Sequence, residues 1–246
     1  MPRYRLTIEY DGTPYVGWQR QVNGYTVQEA METALSKFIR STPALMAAGR
    51  TDTGVHATGQ VIQIDMADEF EPERLMGALN FHLRPEPVSI LEADIAPEGW
   101  HARFSATGRR YLYRILNRRG PPAVDMNRVW HVPVPLDADA MHDAARVLVG
   151  HHDFTTFRAQ QCQSRSPVKT LDALTVSRVG EEIHVTAAAR SFLHHQVRSM
   201  VGTLKLVGEG KWTKADVKAA LDARDRAALG LNAPPQGLYL TAVTYD

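Results

Sequence analysis

The sequence predicts an α+β fold made of two ferredoxin-like halves, each with the order β-α-β-β-α-β and a mainly antiparallel sheet. Three observations lead to this prediction. Strand-like and helix-like hydrophobic periods follow one another in the same order twice along the chain. Capping residues and glycines mark where the helices begin and end. The length of 246 residues suits one large domain or two small ones.

The first half is predicted to contain four strands and two helices. Residues 3–10 alternate between apolar and polar side chains, as a half-buried strand does, and Asp11-Gly12 turns the chain into a loop. Thr26 with Glu29 three residues later has the spacing of a capping box, which begins the first helix. The remaining elements are strands at 44–49, 58–66 and 87–95 and a helix from Glu71 to about residue 82.

The second half repeats this order of elements, although the sequences of the two halves do not visibly match. Residues 109–117 alternate as a strand, and Asp137 caps a helix that Gly150 ends. The remaining elements are strands at about 168–177, 182–190 and 238–244, a helix from Val197 to about Gly208 and an added helix after Thr213.

The order of elements divides the chain into two domains. We expect the first at 1–105 and the second at 106–246, with a central, positively charged cleft formed by the two. Three connecting segments are longer than compact connections usually are, and such loops are often functional: 11–25, 118–136 and 150–167.

Composition excludes several classes of protein. Hydrophobic residues make up 44% of the chain and charged residues 22%, which is typical of a folded protein rather than a disordered or fibrous one. No apolar stretch approaches the roughly 18 residues of a membrane span, and no signal peptide is expected. Cys162 is the single cysteine, so we expect a reducing, cytoplasmic location and no zinc site or other bound metal.

The charges are distributed unevenly, although 28 Lys and Arg residues nearly balance 27 Asp and Glu residues. Three stretches contain no acidic residue, and they lie between Glu98 and Asp125, between Asp153 and Asp172, and between Glu182 and Glu209. Their basic and aromatic residues include Arg103, Phe104, Arg109, Arg110, Tyr111, Tyr113, Arg158, Arg165 and Arg198. Cations interleaved with aromatic rings are typical of surfaces that bind unpaired RNA.

The loop at 49–57 holds the most unusual local sequence. Asp52 lies between two threonines, beside Arg50 and close to Gly49 and Gly54. Glycines let a ligand approach the backbone, but an aspartate can equally cap its own turn, and the spacing alone leaves both open. An aspartic protease needs two such carboxylates, from a second loop or from a symmetric dimer. The chain has no second Asp-Ser/Thr-Gly sequence, and Arg50 favours an ionised carboxylate over a shared proton.

The sequence Gly49-Arg50-Thr51-Asp52-Thr53-Gly54-Val55-His56-Ala57 resembles the catalytic loop of the tRNA pseudouridine synthase A family. Other stretches resemble the same family in the same order along the chain. They are 9–12, 17–21, 101–106, 110–113, 153–158, 162–165 and 192–202. The resemblance therefore covers most of the sequence.

The resemblance implies an enzyme that isomerises uridine to pseudouridine at positions 38, 39 and 40 of tRNA, near the anticodon. Substrate and product contain the same atoms, so no cofactor is expected. Asp52 matches the catalytic aspartate, which acts when ionised, either as a nucleophile at C1′ or by taking a ribose proton on a glycal route. Arg198 matches the arginine that forms an ion pair with this aspartate. Tyr111 matches the tyrosine that stacks on the flipped base.

The resemblance also suggests how the RNA is bound. We expect substrate contacts from the arginines Arg50, Arg109, Arg110, Arg158 and Arg165. A homodimer is implied as well, and the partner is tRNA rather than a membrane. A second hypothesis is a non-catalytic RNA-binding module. The enzyme is favoured because an isolated carboxylate in a positive loop would weaken phosphate binding.

Overall fold

The computed structural model describes residues 1–40 and 43–246, with mixed α and β structure and mostly antiparallel strand pairing. In chain order the strands are β1 (Arg3–Tyr10), β2 (Leu45–Ala47), β3 (His56–Asp65), β4 (Val88–Ile95), β5 (Ala106–Leu116), β6 (Trp130–His131), β7 (Gly150–Asp153), β8 (Val168–Val179), β9 (Glu182–Ala189) and β10 (Leu238–Tyr245). The helices are α1 (Val27–Leu35), α2 (Pro72–His82), α3 (Ala138–Ala145), α4 (Gln196–Gly208) and α5 (Lys214–Ala223).

The chain divides into two compact units. One unit consists of Met1–Thr107 together with Tyr239–Asp246, and the other of Gly108–Leu238. The last strand therefore belongs, except for Leu238, to the first unit, whereas the sequence grouped it with the second half. Tyr239 and Leu240 of this strand run parallel to His56 and Ala57 of β3. Local sequence carries no sign of such a distant partner.

In the first unit, β1 lies between β3 and β4, and it is antiparallel to both. The short strand β2 is antiparallel to β3. Tyr4, Leu6 and Ile8 of β1 are fully buried, as the alternating pattern predicts. Thr26 caps α1 by accepting a hydrogen bond from the Glu29 amide (3.1 Å).

Cross-strand ion pairs occupy the other face of β1. Arg3 contacts Asp65 of β3 at 2.6 Å, and Arg5 contacts Asp94 of β4 at 3.0 Å. The hydrogen bond from Arg3 also holds the pKa of Asp65 below its usual value. Each of these two arginines is thus paired with a carboxylate on a neighbouring strand.

In the second unit, β9 pairs antiparallel with both β5 and β8. The prediction that 150–167 is entirely loop was wrong for β7, which pairs antiparallel with β8. The two residues of β6 likewise lie inside the predicted loop 118–136 and pair with β5. Both strands are too short to show a period of two. Helix α3 ends at Ala145 and continues as a 3-10 turn at Arg146–Leu148.

None of the helices formed by residues 1–40 and 43–246 combines the length and the apolar character that a membrane span requires.

Candidate active site

The loop between β2 and β3 is held in shape by its own backbone and by Gln60. The Gln60 side-chain amide donates to the Gly49 carbonyl at 2.7 Å. The Val55 N–H donates to the Asp52 carbonyl at 3.1 Å and closes a turn whose third residue, Gly54, has φ of 73°. That conformation favours glycine. The turn leaves Asp52 half-buried and Arg50 exposed.

The connection between β1 and α1 forms the support under this loop. Trp18 donates its backbone N–H to the Thr51 carbonyl at 3.1 Å. Two glycines permit the close approach, since a Cβ on Gly12 would lie 2.1 Å from the Val55 carbonyl oxygen and one on Gly17 2.8 Å from the Thr51 oxygen. Two other family-like stretches, 9–12 and 17–21, therefore pack against the stretch that contains Asp52.

Tyr10 anchors the residue next to Asp52. Its hydroxyl lies 2.8 Å from Thr51 Oγ1, and the tyrosine is only 4% exposed. Burial raises the pKa of Tyr10 to about 12, although hydrogen bonds with Thr51 and Gln60 act in the opposite direction. The phenol is therefore neutral at physiological pH, and it fixes the threonine hydroxyl from the core side.

His56 supports the same loop from its far end. The imidazole is 2% exposed, stacks on the Tyr239 ring at 4.7 Å, and accepts the Gly12 N–H at Nδ1 (3.0 Å). The Asp11 carboxylate lies 3.2 Å from the same nitrogen. His56 thus joins the end of β1 to β3 and β10.

Removal of the Tyr10 hydroxyl is expected to impair activity more than its effect on stability would suggest. Tyr10→Phe should lower the free energy of unfolding by about 1–2 kcal/mol, because Thr51 loses a buried hydrogen-bond partner. It should also lower kcat about tenfold, because the loop around Asp52 loses an anchor. Urea unfolding and turnover rates measure the two effects.

Tyr4→Phe is the matched control. Tyr4 is fully buried on the same strand, and its hydroxyl bonds the Phe70 carbonyl (2.8 Å) and amide (2.7 Å), outside the loop. This change should cost similar stability and leave kcat unaltered. Equal losses of kcat in both variants would show that Tyr10 has no specific effect on the loop.

In the second unit, Tyr111 and Tyr113 point to the same face of β5 but have different surroundings. Tyr113 is fully buried, donates to the Pro234 carbonyl at 2.7 Å, and has a pKa that burial raises well above its usual value. Tyr111 is half-buried and meets Phe192 edge-to-face at 5.2 Å. Of the two rings, Tyr111 is the one that a base could reach.

The five predicted RNA-binding arginines differ in exposure. Arg50, Arg110 and Arg165 are exposed, and Arg158 is half-buried. Arg109 is only 9% exposed, and its Nη1 donates to the Arg190 carbonyl at 2.5 Å. Burial makes Arg109 less accessible to a phosphate than the other four arginines are.

Arg198 lies in the first turn of α4, which begins after His195 in the left-handed region (φ 64°). Its Nε donates to the Ala233 carbonyl at 2.9 Å, and the Ala233 amide donates back to the Arg198 carbonyl at 3.0 Å. Sequence reasoning missed the segment around Ala233. The nearby Pro234-Pro235 pair marks it as irregular chain, but nothing in the sequence indicates a role for it.

The predicted site residues are divided between the two units. Arg50 and Asp52 belong to the first unit. The second unit contains Arg109, Arg110, Tyr111, Arg158, Arg165 and Arg198.

Comparison with known proteins identifies the class. A family profile described as tRNA pseudouridine synthase matches residues 6–105 and 144–246. The tRNA pseudouridine synthase A of Paramagnetospirillum magneticum (strain ATCC 700264 / AMB-1) is 59% identical over 246 residues, which cover 100% of this chain and 96% of the relative. The proteins of the same name from Caulobacter sp. (strain K31) and Caulobacter vibrioides (strain NA1000 / CB15N) are 60% and 61% identical, with 100% of this chain and 99% of each relative covered.

The chain therefore belongs to the tRNA pseudouridine synthase family, and the resemblance found in its motifs is confirmed. The matched ranges of the profile include Asp52 and Arg198 but not Tyr111, which the full-length relatives cover.

Proposed function

We propose that the protein isomerises uridine to pseudouridine in tRNA. The main support for this function is the similarity of the whole chain, at about 60% identity, to proteins named tRNA pseudouridine synthase A. The hydrogen-bonded loop that holds Asp52 agrees with it. The substrate uridines are those at positions 38, 39 and 40 of the anticodon stem-loop. Family membership favours this enzyme over a non-catalytic RNA-binding module.

Asp52 is the catalytic residue of this proposal. Its carboxylate attacks C1′, or takes a ribose proton on the glycal route, as the C1′–N1 bond breaks. The freed uracil rotates, C5 forms the new bond to C1′, and the hydrogen on C5 leaves as a proton. The half-buried position of Asp52 supports the role, since partial desolvation makes a carboxylate more reactive when a cation keeps it ionised.

Arg198 supplies that cation, and Tyr111 supplies the aromatic surface beneath the flipped base. The half-exposed ring of Tyr111, set edge-to-face against Phe192, supports stacking on a base. Nε of Arg198 is bound to a main-chain carbonyl, which supports a fixed guanidinium rather than a mobile surface side chain. Arg50, Arg110, Arg158 and Arg165 contact phosphates, whereas the buried Arg109 steadies β5.

RNA binds mainly through the segments that lack acidic residues. One such segment presents Phe104, which is 72% exposed and lies 5.8 Å from the Arg103 guanidinium. The turn that holds it is ordered, because His101 Nδ1 accepts the Arg103 N–H at 3.0 Å. A fixed, exposed ring beside a cation suits stacking on an unpaired base.

The finer architecture belongs to the same proposal. The two halves are ferredoxin-like and form a positively charged cleft for the tRNA. The pairing of β4 with β1, β1 with β3 and β3 with β2 supports this fold for the first half. The protein acts as a homodimer, as the family resemblance implies, and its single cysteine suits the reducing cytoplasm.

Release of tritium from uridine C5 tests the function. The protein, incubated with tRNA carrying 5-tritiated uridine, should release label into water, because formation of the new C–C bond expels that hydrogen. A transcript with cytidine at positions 38, 39 and 40 and labelled uridine elsewhere should release none. No release from the natural sequence would refute the function, and equal release from both transcripts would refute the choice of positions.

A further inference from the structure

A short irregular segment at residues 231–233, here termed the strap, runs alongside the N-terminal half of α4. The Ala233 carbonyl accepts from Arg198 Nε (2.9 Å), and its amide donates to the Arg198 carbonyl (3.0 Å). Ala233 is fully buried. The strap therefore contacts both the main chain and the side chain of the same helical arginine.

Two further contacts hold the strap against α4. First, Ser199 donates its hydroxyl to Asn232 Oδ1 at 3.2 Å, and Arg226, outside the strap, donates to that hydroxyl at 2.9 Å. At Gly202 the helix has no side chain, and the strap fills that space: a Cβ there would lie 2.2 Å from the Leu231 carbonyl oxygen. The approach of strap to helix thus depends on this glycine.

We propose that the strap is a positioning element for Arg198. The Ala233 carbonyl engages Nε, so a carboxylate is left the Nη groups at the end of the guanidinium. The strap thereby selects one orientation of the side chain and removes the entropic cost of fixing a long arginine at each turnover. This role of the strap rests on the proposed function, because it acts through the ion pair with Asp52.

Gly202→Ala tests the strap, since the added methyl group forces the Leu231 carbonyl away from α4. Gly77→Ala is the matched control, because Gly77 is also helical and a Cβ there meets nothing within 4 Å. In the intact, ¹⁵N-labelled protein, the Nε–H signal of Arg198 is identified by its loss in Arg198→Lys. Its hydrogen exchange should accelerate at least tenfold in Gly202→Ala and stay unchanged in Gly77→Ala.

The same variants are then assayed for tritium release and tRNA affinity. Gly202→Ala should lower kcat about tenfold or more, with the tRNA Kd within about threefold of the parent value. Asn232→Ala, which removes the hydrogen bond with Ser199, should likewise speed the Nε–H exchange and lower kcat. It serves as the deciding variant should Gly202→Ala not fold.

Unchanged Nε–H exchange would overturn the strap's role, and so would faster exchange with an unchanged kcat. Loss of tRNA affinity in parallel with kcat would also overturn it, because a general structural defect would then explain the rate. A parent protein that releases no tritium would instead refute the proposed function. The exchange measurement does not depend on that function, so the two failures are distinguishable.

Discussion

Asp52→Asn is expected to lower tritium release from tRNA by at least about 1,000-fold, a loss typical of removing a catalytic nucleophile. An amide has nearly the shape of a carboxylate, but it carries no negative charge with which to attack C1′ or accept a ribose proton. Because the phosphate contacts are unaffected, the tRNA Kd should stay within about threefold of the parent value. Single-turnover tritium release and filter binding measure the two quantities.

Asp68→Asn is the control for this change. Asp68 is exposed in the connection between β3 and α2, outside the loop that contains Asp52. Its replacement removes the same charge from the protein and should leave both rate and affinity unaltered. Substantial turnover by Asp52→Asn would exclude Asp52 as the reacting group.

Arg198→Lys is expected to lower kcat about 100-fold, which corresponds to about 2.7 kcal/mol in the activation barrier. Lysine keeps the positive charge but has a single nitrogen. It cannot donate to the Ala233 carbonyl through one atom and bind a carboxylate through two others, as the guanidinium can. Turnover under saturating tRNA measures the effect.

Arg146→Lys is the matched control for Arg198→Lys, because Arg146 is an exposed arginine just after α3 and belongs to no predicted site. It should leave kcat unaltered. Full activity of Arg198→Lys would show that a positive charge alone suffices at this position. The several N–H donors of the guanidinium would then not be needed for turnover.

The sequence predicts elements well where one face of the element is buried. The alternation in β1 and the cap at Thr26 correspond to the observed strand and helix start. In the sequence, apolar residues at helical spacing continue from Val27 to Phe38 and Ile39, whereas α1 ends at Leu35. In the structure, Phe38 packs against Phe70 at 5.9 Å and His82 at 5.6 Å. Tertiary packing, rather than helical periodicity, accounts for its apolar character.

The candidate site is predictable only where it depends on side chains. Asp52 and Tyr111 are chemically distinctive and lie in recognisable motifs. The strap is different, because Ala233 acts through a carbonyl that every residue possesses. Gly12, Gly17 and Gly202 can be read from the sequence. The main-chain atoms that pack closely against them, however, belong to distant parts of the chain. Such contacts are properties of the tertiary fold.

The first unit is discontinuous in the chain, and this affects the order in which it can form. During synthesis on a ribosome, Tyr239 emerges only after the whole second unit has been made. Until then His56 lacks the ring on which it stacks, β3 lacks its parallel pairing with β10, and Gly59 lacks the Thr241 carbonyl that approaches it closely. The surroundings of the reactive loop are therefore completed late in translation, and a nascent chain that ends after Thr107 does not contain a finished first unit.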